Sequence, residues 1–337
     1  GKATLKTALD DGLILERLTV PLGVVGIIFE SRPDVLPQIL SLILKTGNAV
    51  VFKGGREAKI SNAAFMTLVE KLNQEFPELP QGWAILLDSR EAAQEMLLHP
   101  EYVDLIIPRG SNELVQDVMA KSKIPVLGHA DGICHLYVHP TANFEKAIPL
   151  IIDSKIQYPA ACNALETLLV DEKIAILFLP ALEKAANEAG ITLIACERSQ
   201  MIFTQSQPAT KADWKTEYGD LRLAVKLVTS QDEAIQHINT YGSHHTDGIL
   251  SEDAESQQQF LNAVDSANVY VNASTRFADG FRYGFGAEIG ISTSKTHARG
   301  PVGIDGLLSY KYQLRGEYQI VKDYTGPKAK PFKHTSM

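Results

Sequence analysis

Val24-Val25-Gly26-Ile27-Ile28-Phe29 is an unbroken apolar run that reads as a buried strand. After it Leu36, Ile39, Leu40, Ile43 and Leu44 recur at helical spacing until Gly47, and Ala49-Val50-Val51-Phe52-Lys53 is a second strand. Strand, helix and strand in this order form a βαβ unit. The alternation continues outward: a helix over 61–76 puts Phe65, Leu68, Val69 and Leu72 on one face, and strand 84–87, helix 90–98 and strand 103–107 follow. Such repetition predicts a mostly parallel sheet covered by helices on both faces. Nucleotides bind such sheets at the carboxyl ends of the strands.

Two strand ends suit that task. Lys53-Gly54-Gly55-Arg56 combines two cations with glycines that let backbone amides approach a phosphate. Pro108-Arg109-Gly110-Ser111-Asn112 leads into a helix that starts near Ser111, whose free amides and positive dipole end favour an anion. No GxGxxG follows the first strand, so the ordinary Rossmann fingerprint is absent.

From Phe144 a long helix is expected to run to Cys162, followed by a second alternating series. Its strands fall at 167–170, 192–196, 224–228, 248–250 and 269–272, and its helices include 174–189 and 232–239. A cysteine that only packs sits inside an apolar run, whereas Cys162 stands in the small-residue stretch Tyr158-Pro159-Ala160-Ala161-Cys162-Asn163-Ala164 just before one. There a thiolate is exposed for attack on a carbonyl carbon, and Cys162 is the candidate nucleophile.

Composition sets the outer limits. With 337 residues, 45% hydrophobic and 21% charged, the chain buries a large core and forms two domains. A net charge of −8 argues against nucleic acid as a partner, and no basic block or long apolar run points to a membrane. Cys134, Cys162 and Cys196 make neither a CxxC pair nor an even disulfide set, which fits a reducing cytoplasm. His244-His245 and Cys134-His135 look like metal ligands only superficially, because adjacent strand positions face opposite ways. No metal is expected.

These residues carry a family resemblance. The order Pro21-Leu22-Gly23-Val24-Val25-Gly26, Gly47 to Lys53, Gly110-Ser111, Cys162 and Glu217 resembles the aldehyde dehydrogenase superfamily. Phe29-Glu30-Ser31-Arg32-Pro33, Ile107-Pro108-Arg109-Gly110, Gly132-Ile133-Cys134-His135, Cys162 to Thr167 and His237 to Ser243 narrow it to the gamma-glutamyl phosphate reductase branch, which acts in proline biosynthesis. The resemblance covers nearly the whole chain. It implies an α/β fold: a Rossmann-type parallel-sheet NADP-binding domain over 1–143, a catalytic cysteine domain over 144–309, an oligomerisation strand over 310–327 and a loose tail over 328–337.

It also implies a reaction: a thiolate displaces phosphate from L-glutamyl 5-phosphate, and NADPH reduces the resulting thioester to the semialdehyde. Cys162 is then the nucleophile. Its backbone amide, with Asn163, Ser31 or Arg32 near it, serves the developing oxyanion. Hydrolytic relatives carry a water-activating glutamate that falls here on Gly128, so the thioester should survive to meet hydride or phosphate. Lys53 contacts the adenosine ribose, and Arg56 stands where NAD-preferring relatives have glutamate, which favours NADP. Gly54, Gly55, Arg109, Gly110 and Ser111 complete the cofactor set, and Glu217 holds the nicotinamide ribose. The polar loops at 272–276 and 292–299 offer Ser274, Arg276, His297 and Arg299 to the substrate's α-carboxylate and phosphate.

The run Tyr310 to Val321 alternates like an exposed strand, and such an edge invites a second subunit. In the resemblance that strand joins a partner's sheet, so a homodimer or a multiple of one is expected; glutamate kinase is a candidate contact, and the sequence does not reveal whether it hands over the acyl phosphate directly. Family members begin about a hundred residues before Gly1. That leaves two other readings beside the reductase: a hydrolytic semialdehyde dehydrogenase, and a truncated, non-catalytic oligomeric relative.

Overall fold

The computed structural model describes every residue of the chain except 31, 33, 129 and 130. In chain order the elements begin with β1 (Ala3–Asp10), β2 (Leu13–Pro21), β3 (Val24–Phe29), α1 (Val35–Thr46), β4 (Ala49–Gly54), α2 (Lys59–Glu75), β5 (Ala84–Leu86), α3 (Arg90–Met96), β6 (Leu105–Arg109) and α4 (Asn112–Lys121). Then come β7 (Cys134–Val138), α5 (Phe144–Ile156), β8 (Leu165–Asp171), α6 (Ala175–Glu188), β9 (Thr192–Ala195), α7 (Glu197–Gln200), β10 (Gln207–Pro208), β11 (Arg222–Val228) and α8 (Gln231–Tyr241). The last are β12 (Thr246–Leu250), α9 (Ala254–Ala263), β13 (Asn268–Val271), β14 (Gly290–Ser292), β15 (Gly300–Val302), β16 (Leu308–Arg315) and β17 (Thr335–Ser336).

The chain divides into two compact units. One comprises Gly1–Ile107, Lys121–Pro125 and Ile304–Met337, the other Pro108–Ala120 and Val126–Gly303. The first holds a sheet ordered β5-β4-β3-β6, in which β3, β4 and β5 run parallel as the βαβ reading requires. Helix α1 stops at Gly47, whose φ of 71° is the left-handed conformation that costs glycine nothing. Helix α2 turns Val69 inward, but Leu68 is exposed, against the face expected of it. Neighbouring helical positions differ by about 100°, so the two cannot share a narrow buried stripe.

A second sheet of this unit, ordered β16-β2-β1-β17, lies outside the sequence expectation except for β16. Its hairpin β1–β2 turns at Asp11-Gly12, a recognised hairpin signal between two alternating runs. β16 is shorter than the expected alternating run and lies antiparallel on β2 of its own chain. The tail, expected loose, returns to this sheet: β17 pairs with Thr7 and Ala8, and Lys333 N and Met337 N donate to Leu9 O and Lys6 O. Backbone pairing, rather than burial of apolar side chains, secures it, which is why its polar composition hid it.

The other unit is built on a seven-stranded sheet ordered β10-β9-β11-β8-β7-β12-β13, with every neighbouring pair parallel. Leu168 and Val170 of β8 pack with Ile151 of α5 and Phe178 and Leu182 of α6. Leu169 faces the other way, toward Ile235 and Ile238 of α8 and Phe260 of α9. Alternate residues of one strand thus serve two cores, the period-two signature of a strand buried on both faces. β7 belongs to this sheet, so the contact boundary falls earlier than 143 and the units interleave along the chain.

Candidate active site

The chain reaches Cys162 through two successive turns. Helix α5 ends at Ile156 rather than at the cysteine, because Tyr158 precedes Pro159 and a residue before proline is driven out of the helical region. Ala161 N then donates to Tyr158 O (3.1 Å) and Ala164 N to Ala161 O (2.8 Å). Cys162 is partly exposed in the second turn, and β8 after it is buried throughout. The cysteine therefore stands at the amino end of a central parallel strand, the end opposite to the one that nucleotide-binding sheets use.

Backbone and side chains pack closely behind it. A Cβ on Gly132 would lie 2.1 Å from Cys162 O and 2.5 Å from its Cα, so only glycine fits there. Cys134 Sγ donates to Cys162 O at 3.3 Å, and burial pushes the Cys134 thiol well above its ordinary pKa. Beside it on β7, His135 faces away and its Nδ1 lies 2.8 Å from Asp247 Oδ1. Among the described residues no group of three or more His, Cys, Asp or Glu side chains gathers as metal ligands.

Asn163 faces inward. It is 4% exposed and its Nδ2 donates to Ala278 O at 2.8 Å, so its amide fixes the neighbouring turn instead of facing a reacting oxygen as expected. That turn carries Arg276, whose Nε donates to Gln157 Oε1 (2.8 Å) and whose guanidinium lies 5.9 Å from the Tyr158 ring centre. Burial and the Arg282 guanidinium lower the Arg276 pKa, while Cys162, Asp279 and Asp153 raise it. The Arg276 guanidinium and the Cys162 thiol are thus within electrostatic reach of each other. The sequence gives Gln157 and Tyr158, which orient Arg276, no role of their own; Tyr158 enters only as the start of the cysteine stretch, and adjacency to that turn is the signal for both.

The other substrate candidates stand differently. Ser274 is 5% exposed, accepts a hydrogen bond from Ser154 Oγ (3.0 Å) and caps the turn at Arg276 N, which is a structural task. Arg299 pairs with Asp265 at 3.0 Å, and Lys295 pairs with the same carboxylate at 2.6 Å. A carboxylate already answers that charge, against the free cation expected. His297 is exposed, with a left-handed φ of 72°.

Glu217 lies in the same unit. Its Oε2 accepts from Gly132 N (3.0 Å) and Asn112 Nδ2 (3.3 Å), and Asn112 also donates to Asp131 Oδ1 (2.6 Å). Two carboxylates therefore converge at the start of α4. Ser111 Oγ accepts from Leu114 N at 3.3 Å and caps that helix, while the Arg109 side chain lies against Gly290 and Gly110 links the two elements. The anion-binding arrangement expected of 109–111 is replaced by a capped helix end flanked by acids. Behind the cysteine turn Lys155 Nζ meets Glu166 Oε2 at 2.7 Å with both side chains fully buried. Burial raises the Glu166 carboxyl to about 7, against the pull of Lys155 and of the Gly219 and Tyr218 amides.

In the first unit the carboxyl end of β4 carries Lys53 and Gly54, followed by Gly55 and Arg56. Lys53 Nζ donates to Gly54 O at 2.5 Å. A Cβ at Gly54 would meet Asn62 Nδ2 at 2.2 Å and the Phe29 ring at 2.9 Å, and one at Gly55 would meet the Glu57 carboxylate at 2.0 Å. Arg56 is exposed at the start of the turn into α2. A half-buried Lys53 and an exposed Arg56 where a strand passes into a helix carry the sign of charge that a phosphorylated adenosine ribose requires. Arg32 is exposed before α1; Ser31 lies outside the described residues.

Known proteins share the sequence and the fold. The sequence pattern of the aldehyde dehydrogenase family matches residues 5–195. A gamma-glutamyl phosphate reductase of Pelotomaculum thermopropionicum is 55% identical over 337 residues, covering 100% of this chain and 77% of the relative. Another, from a Synechococcus strain, is 56% identical over 334 residues, covering 99% and 73%. The crystal structure of a gamma-glutamyl phosphate reductase from Thermotoga maritima matches with a TM-score of 0.93 at 42% identity, over 95% of this chain and 78% of that one. By sequence along its whole length and by fold, the chain belongs to the gamma-glutamyl phosphate reductases of the aldehyde dehydrogenase family.

Proposed function

We propose that the protein reduces L-glutamyl 5-phosphate to L-glutamate 5-semialdehyde and phosphate with NADPH, a step of proline biosynthesis, and that Cys162 carries the acyl group. Family membership supports the activity. The placement of Cys162 in a partly exposed turn within electrostatic reach of the Arg276 guanidinium, with no carboxylate at position 128, supports the mechanism.

The Cys162 thiolate attacks the acyl carbon, the carbon–oxygen bond to phosphate breaks, and a thioester remains on the sulfur. Arg276 holds the negative charge of the substrate next to that sulfur. NADPH, when bound, supplies the hydride that the thioester needs. The thiohemiacetal oxyanion that follows needs donors, and backbone amides of the cysteine turn, with Arg32 or Ser31, are assigned that task. Its collapse expels the thiolate and restores Cys162. Lys53 and Arg56 bind the adenosine end of the dinucleotide, and Glu217, held by the Gly132 amide, receives the nicotinamide ribose by exchanging its longer hydrogen bond to Asn112. Gly128 leaves water without a base, which disfavours the hydrolytic alternative.

No helix among the described residues is long and apolar enough to cross a membrane, and the three cysteines are free thiols, which supports a cytoplasmic setting. An eight-residue edge strand, β16, supports pairing of subunits. The decisive measurement is NADP reduction by glutamate 5-semialdehyde, with and without phosphate, in the native chain and in Cys162→Ala. Turnover that needs both phosphate and Cys162 is expected. Phosphate-independent turnover would establish hydrolysis instead, and no turnover by the native chain would favour the non-catalytic relative.

A further inference from the structure

Lys155 and Glu166 are 11 residues apart and flank the cysteine turn, one in the last turn of α5 and the other in β8. Their side chains meet at 2.7 Å with no exposure to solvent. Burying two charges costs more than burying two apolar groups of the same size, and a well-packed apolar pair in such a place is commonly as stable or more so. The fold alone therefore gives little reason for the pair. Its location gives a better one.

Glu166 Oε1 also accepts from Gly219 N at 3.4 Å. Gly219 follows Glu217 closely, and Glu217 Oε2 accepts from Gly132 N at 3.0 Å. Gly132 in turn lies against the Cys162 backbone, with no room for a Cβ. These contacts close a ring: cysteine turn, ion pair, Gly219, Glu217, Gly132 and back to the cysteine turn. Every member belongs to one compact unit. A charged pair suits this task, because its hydrogen bonds are directional where apolar packing tolerates sliding.

Resting on the reductase reading, we propose that Lys155 and Glu166 are positioning residues that set the Cys162 turn and the Glu217 loop in register with one another, so that sulfur and nicotinamide ribose are held for the same step. Neither touches the substrate; both act through the two elements they join. A misplacement of about 1 Å at a reacting atom can cost roughly a hundredfold in rate, so loss of the pair acts on turnover more than on folding.

The test compares the native chain with Lys155→Met/Glu166→Leu, which keeps the volume apolar, and with Lys155→Arg, which keeps the charge. Tm, the rate of Cys162 alkylation by iodoacetamide, kcat, and KM for NADPH are measured on each. The double variant should keep its Tm within a few degrees or raise it, lose roughly ten- to hundredfold in kcat, bind NADPH more weakly and alkylate at an altered rate. Lys155→Arg should recover most of kcat. A folded double variant with kcat, KM and alkylation rate all within about twofold of native overturns the proposal, since such changes lie inside ordinary surface-mutation scatter. If the double variant unfolds, Glu166→Gln, which keeps shape and one hydrogen bond, decides by the same criteria. Should the native chain lack phosphate-dependent turnover, the reductase reading fails, while alkylation still decides whether the pair positions Cys162.

Discussion

Arg276 is held from two sides, by Gln157 at its Nε and by the Tyr158 ring at its face, so its charge is fixed in place before any substrate arrives. Removing it in Arg276→Ala should raise the phosphate concentration needed for the reverse reaction by roughly ten- to a hundredfold, the range for losing a charge-assisted hydrogen bond. Phosphate-dependence curves on native and variant protein check this. Gly128 offers the complementary change. The nearest atoms to a Cβ there would be the Pro108 ring and carbonyl, at 3.5 Å or more, so Gly128→Glu should fold and should give the thioester a base. Semialdehyde oxidation without phosphate, above the level of the native chain, is the expected gain. Glu166 predicts a pH dependence. Its carboxyl is raised from 4.5 to about 7, so the folded protein keeps this proton to higher pH than the unfolded chain does. The stabilising contribution is complete below pH 4.5 and is lost as pH rises through about 7. The Tm of the native chain relative to Glu166→Gln should therefore fall across that window, as thermal melts at several pH values would show. At this scale the sequence singled out Cys162 because an isolated thiol in a small-residue turn is unusual, and the structure leaves that thiol partly exposed in such a turn. Asn163, Ser274 and Arg299 read as site residues, and only three-dimensional neighbours reveal that Asn163 donates to Ala278 O, that Ser274 accepts from Ser154 and that Arg299 pairs with Asp265.

The two turns that carry Cys162 are braced by the loop before β7, where Gly132 passes so close that no side chain fits. Gly132→Ala must push the cysteine backbone or its own loop away, an overpacking that costs about 1–3 kcal/mol. We expect the variant to lower Tm modestly and kcat steeply, with far-UV circular dichroism unchanged. The strands and helices of the parallel sheets were largely legible, because apolar runs and helical periodicity survive in a strand buried on both faces. What the pattern hid were elements held by backbone bonds. The β1–β2 hairpin is mixed in polarity, β17 is too short to show a period, and α5 reads on past Ile156 until the Tyr158-Pro159 step is weighed.

For the molecule as a whole, charge, length and free cysteines limited what it could be, and the family motifs did the rest. The expected boundary at 143 missed the interleaving of the two units, since a cut in contacts need not follow order along the chain. Tyr310, Tyr312 and Leu314 project from one face of β16, each more than half exposed, an apolar stripe beside an open strand edge. Replacing Tyr312 and Leu314 by glutamate should shift the protein toward smaller species in light scattering behind size exclusion, with the fold of each chain retained. A different consequence follows from where Cys162 is anchored. The strand it precedes is buried at every position between β7 and β11, so its amides have no local route to solvent and should exchange deuterium only when the entire unit opens. Heat should therefore silence the enzyme and denature it in a single event, leaving no temperature interval in which a folded but inactive protein accumulates.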